Sequence, residues 1–319
     1  MTVRSAKKLA YLCARPAGGR WLHVHWPEWM LHDASRARYR ARARWLLALL
    51  DLARAQGVRL AWTAHNLLGH DDPHPDLGEG ARRALLSRCD VVFGHFDGAE
   101  ADLRRWGLRG RFVVTPHPHL ADDHPEPFAG DDARRRFRES LGVPDGGALL
   151  VSAGAIERYK NLGAVARALR AAPDADLRWV VAGRARPAAL ASLREAVGDD
   201  RRVTVRPWHH DEPSLSSLVA AADATLVAYR AFYTSGAAVL SLTLGAPVVG
   251  HPLHQLAGWV GQPFFVPLDR VDGPSLSKAI ASVRGLDPSV RDAARAFARR
   301  SDWARAAASI DGALFGGEA

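Results

Sequence analysis

One pattern constrains this chain more than any other: a strand-then-helix alternation that runs through the sequence twice. The first series has apolar runs "WLHVHW" (21–26), "VRLAWT" (58–63), "DVVFGHF" (90–96) and "RFVVT" (111–115), with helix-like segments at 34–56, 78–87 and 98–106. A polar, Pro-rich break follows, "PHPHLADDHPEPFAGDD" (116–132). The alternation then restarts with "ALLVSAG" (148–154), "LRWVVAG" (177–183), "RVTVRP" (202–207), "ATLVAY" (224–229), "APVVG" (246–250) and "FFVPL" (264–268), and helical segments close the chain from about Pro274. Strands spaced by helices satisfy their backbones only as parallel sheets with crossover helices. The expected fold is α/β, with two Rossmann-like domains facing each other across a cleft, over 1–127 and 128–319.

Composition narrows the function. At 319 residues and 48% hydrophobic, the chain can build two cores. No run reaches the roughly 18 apolar residues of a membrane span, and "WLLALLDLA" already carries Asp51. The opening "MTVRSAKKLAYLCARP" has Lys7 and Lys8 but only a brief apolar patch, unlike a signal peptide. Two cysteines, Cys13 and Cys89, lie far apart without metal-ligand spacing, which fits a reducing compartment, so a cytoplasmic location is expected. The net charge of +9 suits an anionic partner: nucleic acid, an anionic membrane surface or a phosphorylated small molecule. Nucleic acid is disfavoured because no aromatic-and-basic recognition motif accompanies the charge. The arginine runs at 36–44 and 134–138 read first as solvated helix faces; for the first run, peripheral docking on the inner membrane face is the second reading.

In open α/β sheets ligands collect where strands end. Gly154 follows one strand, with Arg158 and Lys160 just beyond; Thr234, Ser235 and Gly236 follow another and open a helix. Basic side chains from one strand end and helix-start amides from another converge on an anion in the way a diphosphate requires. The bland reading of Ser235 is a plain helix cap.

The segments "VSAGAIERYKNLGAVARAL", "LRWVVAGRA", "RVTVRPWHHDEPSLSSLVAAADATLVAY" and "TSGAAVLSLTLGAPVVG" resemble the donor domain of GT-B glycosyltransferases of the group 1, family 4-like type, and "LHVHWPEWM" and "AWTAHNLLGHDD" resemble their acceptor-side motifs. The resemblance implies that Lys160 and a neighbouring arginine bind the nucleotide diphosphate; Glu157 stands at the arginine's place, with Arg158 one residue on. It further implies phosphate contacts from Thr234, Ser235 and Gly236, a nucleotide site near Gly183, Arg184, Pro207 and Trp208, and a sugar-lining role for His65. A Glu-x7-Glu pair common in these enzymes would fall on Phe232 and Leu240, neither of which can hold a hydroxyl. An N-terminal domain of this type opens with a further βα unit before "HVHWPE"; only about 20 residues precede it here, so that unit is expected to be missing, with "SAKKLAYLCARPAG" as a helix.

The resulting expectation is a metal-independent transferase moving a sugar from a nucleotide-diphosphate donor to a hydroxyl acceptor such as a polysaccharide, glycolipid or small glycoside. No cofactor is expected, and retention is what the resemblance favours. Lys160 and His65 would act at the donor, and Glu28 or Asp72 would serve as acceptor base if the enzyme inverts. Trp26 and Trp29 could stack on a sugar, or simply pack. His23 and His25 alternate on one strand and His117 and His119 repeat the spacing; polar contacts are preferred to metal binding because no thiolate or carboxylate completes a site. Asp174 and Asp176 precede a strand and read as a loop. The rivals are a degenerate, non-catalytic sugar-nucleotide binder and a nucleotide-sugar epimerase.

Overall fold

The computed structural model describes residues 20–69, 72–172 and 174–316, so the helix expected before residue 20, with Cys13, Lys7 and Lys8, lies outside the described residues. The chain divides into two compact units, Met1–Pro116 with Ala304–Ala319, and His117–Trp303.

In the first unit, β1 (Trp21–Val24), β2 (Arg59–Thr63), β3 (Val91–Gly94) and β4 (Arg111–Val114) pair in parallel in that order. The crossovers carry α1 (Glu28–Leu31), α2 (Arg36–Ala55), α3 (Pro75–Leu86) and α4 (Ala99–Arg105). Ser35 starts α2 by accepting the Arg38 amide, and Tyr39, Leu46, Leu50 and Ala53 form its buried stripe. The register sets Ala61 beside Val91 and Thr63 beside Phe93, so alternate residues share a face. Ala61, Val91 and Phe93 pack on Leu314 of α12 (Trp303–Phe315), and Trp21 Nε1 donates to the Leu314 carbonyl at 2.7 Å. The end of the chain therefore covers the first sheet. This differs from the 1–127 and 128–319 division expected above: the break comes at Pro116, where β4 has just ended, and the apolar face of the first sheet recruits the last helix.

The second unit contains β5 (Ala148–Ala153), β6 (Leu177–Ala182), β7 (Val203–Arg206), β8 (Ala224–Val227), β9 (Val248–Gly250) and β10 (Phe265–Pro267), all parallel, in the spatial order β10-β9-β8-β5-β6-β7. Its helices are α5 (Asp131–Ser140), α6 (Leu162–Ala171), α7 (Pro187–Val197), α8 (Glu212–Ala221), α9 (Gly236–Thr243), α10 (Gly273–Arg284) and α11 (Val290–Ala298). Every residue of β5 is buried, as a strand covered on both faces must be. Leu150, Trp179 and Leu226 face α6, α7 and α10; Leu149, Val151 and Val180 face α8 and α9.

The arginines of 134–138 are not simply a solvated face. Arg134 and Arg138 donate to the carbonyls of Ala220, Ala221 and Ala222 at the end of α8, and Arg291 donates to Ala220 and Ala222. Cations there satisfy the orphaned carbonyls and oppose the negative end of the helix dipole. In the 36–44 run, Arg36 pairs with Asp76, and Arg38 and Arg42 pair with Asp33.

Candidate functional site

The second sheet is wound outward in two directions from the pair β5 and β8. Crossovers leave these neighbours on opposite sides, so a crevice opens at their carboxyl ends. Gly154 follows β5 with φ +85°, and Gly183 follows β6 with φ +152°. A Cβ on Gly183 would stand 2.3 Å from the Gly154 carbonyl oxygen, so the two strand ends approach as only glycine permits.

Lys160 ends a short 3-10 turn, Arg158–Lys160, beyond Gly154. Its side chain is 5% exposed, and Nζ donates to the Ala153 carbonyl at 2.8 Å and lies 5.5 Å over the Tyr229 ring. Burial, opposed weakly by Glu157, lowers its pKa to about 8. The buried Tyr229 hydroxyl hydrogen-bonds Ser235, and desolvation pushes its pKa up to about 12. Tyr229 thus ties the Lys160 loop to the start of α9.

Ser235 caps α9, its hydroxyl accepting the Ala238 amide at 3.2 Å, while its own N–H donates to Gln255 Oε1 at 2.8 Å. The capping reading is therefore correct, and it has a corollary. The amides that precede the first intrahelical acceptor are those of Gly236 and Ala237, rather than that of Ser235. Thr234 is half-buried beside them and Gly236 is exposed. Arg158 and Arg184 stand exposed after β5 and β6, and Trp208 is exposed after β7 with its ring stacked on His210 at 5.5 Å. Phe232 and Leu240 are buried, Phe232 edge-on to Tyr229 and Leu240 against the α8 face, so apolar packing occupies the positions where the resemblance places glutamates.

In the first unit, β1 stops at Val24, one residue short of His25, so His23 and His25 do not share a strand face as expected; their rings nevertheless lie 4.3 Å apart. His25 Nδ1 is 3.1 Å from His65 Nε2, and His65 Nδ1 is 3.0 Å from His95 Nε2. Trp26 stacks on His65 at 4.1 Å and 7°. His23 bonds the Thr63 hydroxyl at 2.8 Å, and burial together with His25 lowers its pKa to about 4.

Glu28 accepts from the buried Arg82 Nη2 at 2.6 Å. Asp72 accepts from the Tyr39 hydroxyl at 2.7 Å and the His74 amide at 2.9 Å. Both carboxylates proposed as acceptor bases are thus engaged in holding α1, α2 and α3 around Arg82. Trp29 is 74% exposed and Trp26 45%, so Trp29 does not pack in the core.

His117 donates to Pro118, and His119 accepts the Ala121 amide. Asp174 pairs with Arg284. An open depression bordered by Asp174, Arg178 and Arg202 lies at the amino ends of β6 and β7, at the opposite end of the sheet from Gly154. Sequence reasoning passed over Tyr229, Gln255 and His95. The signal for His95 was present: β1, β2 and β3 are each followed within two residues by a histidine. Tyr229 and Gln255 carried none, because no periodicity or motif links them to Lys160 and Ser235.

No protein-family model matches the chain. It is 26% identical over 233 residues, 72% of its own length, to the GDP-mannose:glycolipid 4-beta-D-mannosyltransferase of Xanthomonas campestris pv. campestris. That match spans 60% of the relative's length. Among solved structures, Anabaena HepE in complex with UDP superposes with a TM-score of 0.70 at 15% identity, over 97% of this chain and 81% of that one. WaaG, a glycosyltransferase involved in lipopolysaccharide biosynthesis, gives 0.63 at 18% over 90% and 84%. Sucrose-phosphate synthase from Thermosynechococcus elongatus gives 0.65 at 19% over 88% and 79%. Two parallel α/β units, the strand order of the second and these superpositions agree: the chain has the GT-B fold.

Proposed function

We propose that the chain is a glycosyltransferase that holds the diphosphate of a nucleotide sugar in its second unit and transfers the sugar to a hydroxyl acceptor. The observation that carries this reading is the joining of Lys160 to Ser235 through Tyr229 at the point where the sheet's winding reverses. A buried ammonium, a left-handed glycine and the Gly236 and Ala237 amides form an electrostatic cradle for the charge that grows on a departing diphosphate. Such donors are stronger in a desolvated site than in water.

The mannosyltransferase relative supports a nucleotide-linked mannose donor and a glycolipid acceptor. HepE, solved with UDP, keeps a uridine donor in the comparison. An acceptor carried on lipid agrees with arginines such as Arg40 and Arg44 exposed on α2, next to Trp45 at 40% exposure, as a peripheral contact with anionic membrane. Among the described residues, no helix is long and apolar enough to cross a membrane. A location on the cytoplasmic side and a metal-independent reaction belong to the same proposal.

The test is thermal stabilisation by GDP, UDP, ADP and dTDP, repeated with Lys160→Ala and Ser235→Pro. One nucleotide is expected to raise Tm, and both variants to lose the effect. A chain that none of the four stabilises would instead be a degenerate relative without donor binding.

A further inference from the structure

Three imidazoles link up in the first unit in a way the transferase reading does not by itself require. The end of the chain sets the direction. His95 Nδ1 lies 2.8 Å from the Thr115 carbonyl oxygen, which can only accept, so His95 carries its proton on Nδ1. In a neutral ring Nε2 is then a lone pair, and the 3.0 Å contact must be a donation from His65 Nδ1–H. The same logic makes the 3.1 Å contact a donation from His25 Nδ1–H to His65 Nε2. The chain ends on His25 Nε2 as a lone pair, on an exposed side chain next to the exposed rings of Trp26 and Trp29.

We propose that His25 is the base that takes the acceptor hydroxyl's proton, with His65 and His95 as positioning residues that fix its tautomer and share the charge. This rests on the transferase reading above. The acceptor O–H bond breaks and its proton passes to His25 Nε2. The oxygen's electron pair forms the bond to the anomeric carbon, while the bond from that carbon to the diphosphate oxygen breaks and its pair leaves with the diphosphate. Successive Nδ1–H donations let the added charge move to His65 and His95, where the Thr115 carbonyl faces it.

Glu28 and Asp72 are held by Arg82 and Tyr39, so neither competes for the role. The charged or titratable groups against His25 are the rings of His23 and His65, and among the described residues no carboxylate pairs with it. Although the residue is exposed overall, partial burial of its ring lowers its pKa, in the direction that favours the neutral base. A base on the acceptor belongs to a single displacement that inverts the anomeric carbon, in place of the retention the resemblance implies.

The chain and the chemistry are tested separately on the whole protein. Long-range 1H–15N spectra of the imidazoles should show His25, His65 and His95 all with the proton on Nδ1, the less common tautomer of a free histidine. His95→Phe should release His25 to the Nε2–H form. With the nucleotide sugar that stabilises the protein and an alkyl glycoside acceptor, His25→Ala should lower kcat at least 100-fold. Nucleotide stabilisation should be unchanged. His95→Phe should lower kcat about tenfold and move the acid limb of its pH profile, with inversion seen in the product's anomeric coupling. An Nε2–H tautomer on His25, a His25→Ala variant within threefold of wild-type kcat, or a retained configuration would each overturn the assignment. A wild-type chain that no nucleotide stabilises would overturn the transferase reading, and the base with it.

Discussion

Lys160 donates to the Ala153 carbonyl from a site that is almost wholly buried, an ammonium held by an uncharged oxygen. Among the described residues no carboxylate hydrogen-bonds it and Glu157 offsets its burial only in part, so a charge kept there lowers stability until an anion arrives.

Replacing Lys160 by Met should therefore stabilise the ligand-free protein. In the folded chain its pKa is about 8 against an ordinary 10.5, so below pH 8 the fold carries a charge that the unfolded chain solvates. The penalty fades as pH rises from about 8 to 10.5, and wild-type stability climbs across that window. Lys160→Met should gain up to about 3 kcal/mol at pH 7 and little at pH 10.5, while losing nucleotide stabilisation. Urea titrations at both pH values check this, and an equal gain at both would count against a buried charge.

Nucleotide affinity should depend on the same proton. Below pH 8 the ammonium is ready for the diphosphate; above it, binding must take up a proton, so affinity falls by up to about tenfold per pH unit. Calorimetry in two buffers of different ionisation enthalpy at pH 9 should show close to one proton absorbed. Proton-independent binding would remove Lys160 from the contact.

Glu28→Ala should destabilise strongly, because Arg82 is left buried and unpaired, at a cost of about 3–5 kcal/mol. Arg82 Nε has no hydrogen-bond partner among the described residues even in the native pair, so Glu28→Ala with Arg82→Met should recover most of the loss. Thermal unfolding of the single and double variants decides it. A Glu28→Ala protein of native stability would return Glu28 to the list of possible bases.

Gly183 and Gly236 should respond in opposite ways to alanine. At Gly183 the left-handed backbone and the contact with the Gly154 carbonyl should cost about 2 kcal/mol or more. At Gly236 a Cβ meets nothing within 4 Å, so Tm should hold or rise slightly, while the nucleotide shift shrinks because a phosphate would have to approach that backbone. An undiminished shift in Gly236→Ala would place the phosphate elsewhere.

Much of this was legible in the chain because covered parallel strands read as continuous apolar runs: "ALLVSAG" is β5 and "LRWVVAG" is β6, each with its glycine at the turn. Lys160, Ser235 and Gly236 could be singled out as candidates because strand ends in such sheets are few. The edges were harder. "WLHVHW" reads as one strand, yet Pro27 and the short helix after it draw His25 and Trp26 out of β1. Glu28 looked like a base because nothing local names Arg82, 54 residues away, as its partner. Pairings of that kind depend on which helices meet, and periodicity does not record it.

The helix over Ala61, Val91 and Phe93 also sets an order of events. Trp21 and Leu314, joined by one hydrogen bond, lie 293 residues apart, so the first sheet leaves the ribosome with an apolar face whose cover follows only after the whole second unit. The second unit can complete its core before α12 is made, whereas the first must wait, exposed to misassembly, until α12 emerges. Deleting or disrupting α12 would therefore be felt at the first sheet.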